Sequence, residues 1–143
     1  MPAGTVYAPE ITEYADPITG ARVRRLTAHA AHSHHLYFTA SSYTKDGHIV
    51  FGSERTGSPQ LFLMEMPSGG IVQLTDEEGI RPQLSCLHPH QDLAYYTTSR
   101  QVKQVNLRTF ETEVLYEAPE GFGLSLPSIT ADGSRIAIAY SQK

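Results

Sequence analysis

The chain has 143 residues, 40% of them hydrophobic and 18% charged, with 11 Gly and 9 Pro, which is enough apolar material for a core and too little compositional bias for a disordered, collagenous or coiled-coil chain. Its formal charge of -4 excludes a general nucleic-acid binder, which needs a cationic excess against phosphate, and its single cysteine, Cys86, excludes an internal disulfide and any Cys-rich zinc site. No apolar run approaches the roughly 20 residues that cross a bilayer, and Met1-Pro2-Ala3-Gly4-Thr5 leads into no cationic and then apolar stretch, so a soluble cytoplasmic chain without a membrane partner is expected.

Residues 11–27 carry the first pattern, a Pro17-Ile18-Thr19-Gly20 turn feeding a run from Val23 to Thr27. The same landmark returns as Pro67-Ser68-Gly69-Gly70 before Ile71 to Thr75, and as Leu107 to Thr112 before Val114 to Tyr116, with Leu26, Leu74 and Leu115 in phase. A second landmark, a polar turn opening a β-rich run, recurs around Thr44-Lys45-Asp46-Gly47, His88-Pro89-His90-Gln91 and Thr130-Ala131-Asp132-Gly133. Asp46, His90 and Asp132 stand 44 and then 42 residues apart. Between the landmarks lie short strand-like runs, Gln60 to Met66 and Gln101 to Leu107.

Four short antiparallel strands in each repeat of about 40 to 45 residues are the signature of a β-propeller blade. The expected fold is therefore all-β, about three blades of an incomplete ring. Its parts are the outer strands of a closing blade at 11–27, a blade at 34–76, a blade at 81–117 and half a blade at 123–143. Leu36 to Ser42 and Arg81 to Leu87 are expected as innermost strands. Propellers hold four to eight blades, so this reading places the rest of the ring downstream. The alternative is a ring assembled from several copies.

Four of the seven histidines, His29, His32, His34 and His35, fall in one short stretch. On an inner strand, alternation puts His32 and His34 on one face and His35 on the other. Three readings stay open: an i, i+2 metal pair that lacks a third ligand nearby, imidazoles that satisfy local backbone groups, and substrate contacts at the channel. Arg81, in Ile80-Arg81-Pro82-Gln83, is expected near the channel mouth. Arg22, Arg24 and Arg25 belong to an outer, solvated strand, and Asp76-Glu77-Glu78 to a solvated loop. The candidate substrate-binding residues are His34, His35 and Arg81. No residue is assigned as a metal ligand or as catalytic, and no Gly-rich phosphate loop or G-x-S-x-G elbow is present.

The stretch from Asp16 to Thr27 followed by His32-Ser33-His34-His35-Leu36-Tyr37-Phe38-Thr39 resembles the N-terminal region of oligogalacturonate lyases. Asp46-Gly47, Phe51-Gly52-Ser53-Glu54-Arg55, Leu61-Phe62 and Gln73 to Asp76 fit that family too, and fit generic TolB-type propellers equally well. The resemblance implies a seven-bladed propeller that cleaves short pectin-derived oligogalacturonides by β-elimination with a divalent cation, usually manganese. A base removes the proton at C5, α to the carboxylate, while positive charge stabilises the enolate-like species and the O4 group departs. It also implies that the catalytic and metal-binding groups lie in later blades, so that this portion alone is expected to be inactive. The rival readings are a non-enzymatic TolB-like binding module and the propeller domain of a serine peptidase.

Overall fold

The computed structural model describes residues 1–142 and contains strands, turns and no helix among them; of the expected half blade, only Lys143 lies outside the described residues. Blade 1 contains β4 (Ser33–His35), β5 (Ile49–Ser53), β6 (Gln60–Met64) and β7 (Ile71–Gln73), preceded in the chain by β1 (Val6–Tyr7), β2 (Thr12–Ala15) and β3 (Arg22–Arg25). Blade 2 contains β8 (Cys86–Leu87), β9 (Leu93–Thr97), β10 (Gln101–Asn106) and β11 (Thr112–Glu117). Beyond it come β12 (Phe122–Leu124), β13 (Ser128–Ile129), β14 (Ile136–Ala137) and β15 (Tyr140–Gln142).

The sheet orders are β1-β7-β6-β5-β4 and β11-β10-β9-β8, with separate pairs β12-β15, β13-β14 and β2-β3. Consecutive strands lie side by side and antiparallel, the meander of a propeller blade. The stretches after β4, β8 and β12 line one common cavity, so the inner edges of successive blades converge on a single axis. The fold is a β-propeller.

Stacking of the blades explains why β5 and β6 are buried on both faces. One face of blade 1 sets Val50, Leu61, Leu63 and Leu74 against Leu87, Tyr96, Val105 and Leu107 of blade 2. The other sets Phe51, Phe62, Met64 and Ile71 against Tyr7, Ile11 and Leu26 of the N-terminal segment. A register shift between Val102 and Lys103 marks β10. Alternation still sends Val105 towards blade 1 and Val102 to the next interface, where Leu124 and Ala118 wait.

The repeated turn has one recurring device. Thr44 Oγ1 accepts from the His48 amide and Thr130 Oγ1 from the Arg135 amide, each at 3.1 Å. In blade 2, His88 Nδ1 does the same for the amides of His90 and Gln91, each at 3.0 Å. His88 is a turn cap in the threonine position.

Four differences from the sequence expectations matter. The strand expected over Leu36 to Ser42 is an excursion, since β4 ends at His35 and pairing with β5 resumes only at the Tyr43–Ile49 bridge. Leu36 turns fully into the interblade core, its amide donates to Ser42 Oγ at 2.9 Å, and the Tyr37 amide donates to Gln83 O of blade 2 at 2.9 Å. The strand expected over Arg81 to Leu87 begins only at Cys86, because a Leu84 N to Arg81 O bond of 2.8 Å makes Arg81 to Leu84 a turn. The Asp76 to Glu78 run is not merely solvated: Glu77 accepts from the Tyr96 hydroxyl and from Lys103 Nζ at 2.6 Å, clasping the blades together. Finally, β1 adds a fifth strand outside β7, with Val6 opposite Val72.

Candidate functional site

Strand order fixes which loops can share a site. The start of β4, the end of β5 and the link from β7 to β8 all lie at one end of the blades, and there they enclose a cleft of about 460 Å³ lined by His32, His34, Glu54, Ile80, Arg81 and Pro82. Two of the three expected site residues, His34 and Arg81, meet in it.

His34 is held from two sides. It pairs with Gly52 across the ladder, and a Cβ on Gly52 would run into the His34 ring while lying 2.6 Å from Pro82 Cβ. The bare glycine backbone is what leaves room for the imidazole beside Pro82. His34 Nδ1 approaches His35 O at 3.1 Å, and because a carbonyl only accepts, Nδ1 is the donor there, while Nε2 has no hydrogen bond among the described residues.

Arg81 is exposed, and its guanidinium has no hydrogen bond or ion pair among the described residues. It also borders a second cleft of about 220 Å³ with Thr98, Ser99, Ser125 and Tyr140. A planar cation without a partner at the meeting of two clefts is suited to bidentate capture of a carboxylate.

His35 stays out of this cleft. It points to the opposite face with Phe51, its Nδ1 bonds to Leu36 O, and the residue is exposed. His34 and His35 lie on opposite faces, as strand alternation requires, with His34 the half-buried ring and His35 the exposed one. His29 Nδ1 accepts the Ala31 amide at 3.1 Å, a local cap. Arg22 and Arg24 both pair with Glu13 on the exposed β2-β3 hairpin, at 2.6 and 3.1 Å.

Sequence reasoning missed Glu54 as a lining residue. Its signal was available, because Glu54 directly follows β5 and so shares an end of the blade with the link that carries Arg81. The larger cavity of about 520 Å³ at the other end of the axis offers less chemistry. Its Thr44, Thr130 and His88 are occupied as turn caps, and its Lys45 is paired with Asp46 and Asp92. Cys86, also on its wall, is buried, which pushes the thiol up to about 11 and leaves it un-ionised at neutral pH.

The family model for oligogalacturonate lyase matches residues 2–136. The chain belongs to the oligogalacturonate lyase family. It is 30% identical over 115 residues to the oligogalacturonide lyase of Pectobacterium atrosepticum, an alignment covering 77% of this chain and 30% of that protein. A solved oligogalacturonate lyase in complex with manganese superposes with a TM-score of 0.89 at 27% identity, over 95% of this chain and 37% of the other. TolB from Acinetobacter baumannii, at 15% identity and a TM-score of 0.60 over 92% of this chain and 35% of TolB, shares the fold alone. The chain spans about a third of the length of these lyases. Among the described residues no group of three or more His, Cys, Asp or Glu side chains is arranged to hold a metal ion, so these residues do not fit the manganese found in the solved relative.

Proposed function

We propose that this chain forms the carboxylate-binding wall of an oligogalacturonate lyase, the complete ring of which cleaves pectin-derived oligogalacturonides by β-elimination. The observation that carries the reading is the meeting of an unpartnered Arg81 and the free Nε2 of His34 in one cleft at the inner end of two blades. Arg81 supplies the cation for a uronate carboxylate. Withdrawal of charge from that carboxylate is also what acidifies the C5 proton next to it. His34 Nε2 accepts a hydrogen bond from a ring hydroxyl, and the Glu54 carboxylate accepts another while repelling a misplaced acidic group. The proton-abstracting base and the manganese ligands belong, in this reading, to the rest of the ring, and no step is assigned to metal chemistry here.

Two measurements test it. Given digalacturonate and manganese, the purified 143-residue chain is expected to produce no ultraviolet-absorbing unsaturated product; sustained turnover would place the catalytic groups within this chain. In calorimetric titration, digalacturonate is expected to bind, the neutral digalactose to bind at least about tenfold more weakly, and Arg81→Ala to lose the difference. Absence of any digalacturonate binding by the unmodified chain would overturn the substrate assignment.

A further inference from the structure

Residues 36–41 leave the ladder of blade 1, and the manner of leaving is specific. Leu36 is completely buried in the core between the blades. The excursion is then fastened by Leu36 N to Ser42 Oγ at 2.9 Å, Ala40 N to Tyr37 O at 2.8 Å and Tyr37 N to Gln83 O at 2.9 Å. With its ends anchored, it presents two aromatic side chains outward. Tyr37 is 44% and Phe38 77% exposed, and their rings lie 4.4 Å apart between centroids.

Exposed aromatic pairs held on an ordered backbone are uncommon unless something covers them. The position of this pair narrows what that is. Gln83, which accepts from the Tyr37 amide, also lines the cleft of His34 and Arg81. Thr39 and Ala40, which follow Phe38, line the cavity farther along the axis. The backbone that carries the two rings therefore runs along the inner edge from the cationic cleft towards that cavity.

We propose that Tyr37 and Phe38 form a stacking platform for a sugar ring of the same acidic oligosaccharide, one unit removed from the carboxylate held by Arg81. The inference rests on the acidic-oligosaccharide reading of the cleft and adds a second subsite to it. A galactopyranose ring in its chair form carries axial C–H bonds on one face and presents an apolar, slightly positive surface, which complements the negative face of an aromatic ring. Charge complementarity fixes the order of the subsites, since the carboxylate goes to Arg81 and the C–H face to the rings.

The chain contains no tryptophan, so Phe38→Trp creates a single reporter at the proposed contact while keeping an aromatic ring there. Titration of that variant with digalacturonate is expected to give a saturable change in tryptophan emission. Phe38→Ala is expected to weaken digalacturonate binding about tenfold and Phe38→Tyr to leave it within about twofold, with circular dichroism confirming that each variant is folded. Amide chemical shifts of the unmodified chain separate the two levels of the argument. If His34 and Arg81 shift on titration but the tryptophan emission does not respond, the platform is wrong and the cleft assignment stands. If neither responds, the cleft assignment falls and the platform with it.

Discussion

A guanidinium enclosed by three aromatic rings depends on the few polar partners it has, here Ser53 Oγ at Nε and Glu10 at Nη1, with Nη2 left to the rings. Arg55 sits 5.2 Å from the centroid of Phe62 and 5.6 Å from those of Tyr7 and Phe51, with its side chain 1% exposed, and it pairs with Glu10 at 2.8 Å. Burial pushes the Glu10 carboxyl up, but the amides of Ala28 and His29 and the charge of Arg55 more than offset this and hold it below its ordinary 4.5. A depressed carboxylate contributes stability that is complete above its unfolded value and is lost as the pH falls through the lower folded value. Thermal melting between about pH 6 and pH 3 is therefore expected to show an acid-side loss that Glu10→Gln makes shallower, the variant being less stable at the upper end. A variant that melts with the same acid slope as the unmodified chain would refute the assignment.

At the scale of single elements, β4 and β5 show how far the residues alone could be read. The repeat phase located β5 to β7 and β9 to β11, though not the bounds of the inner strands β4 and β8, because apolar β-branched and aromatic clusters between Asp-Gly-type turns have few other uses. It also brought out His34 and Arg81, which the fold places together. It could not see that Leu36 would leave the ladder, since His34 and Leu36 keep strand alternation and the partner of the next amide, Gln83 O, lies 46 residues away in a different blade. The role of Gly52 was equally hidden, for a glycine inside a strand signals a close approach without naming the visitor. Gly52→Ala is expected to cost roughly 1 to 3 kcal/mol in urea denaturation and to move the His34 ring proton resonances. Unchanged stability together with unchanged His34 resonances would show that the ring is not seated on the glycine.

For the molecule as a whole, cohesion between blades is carried by an apolar layer with a polar clasp at its edge. Tyr96 is fully buried in that layer. Burial raises its phenol, and so does the hydroxyl bond to Glu77. Cys86 lies on the opposite face of the same sheet, across from Tyr95, while its neighbour Leu87 faces blade 1, and its thiol is buried and held up to about 11. An aromatic disulfide reagent at about pH 8 is expected to leave it unmodified in the folded chain and to titrate one thiol after denaturation; rapid modification without denaturant would mean that the face of blade 2 carrying Cys86 opens readily. The two sheets meet solvent differently at their outer sides. In blade 1 the N-terminal strand β1 lies along β7, with Gly4 N bonded to Gln73 O at 2.8 Å and Gln73 N to Thr5 O at 2.9 Å. Blade 2 ends on β11, whose six residues are all exposed. A strand with one side unpaired is a template on which another chain can crystallise its own backbone into a growing fibril. The first seven residues thus act as a sacrificial selvedge for blade 1, and aggregation during refolding should start from Val114, Leu115 and Tyr116 rather than from Ile71 to Gln73.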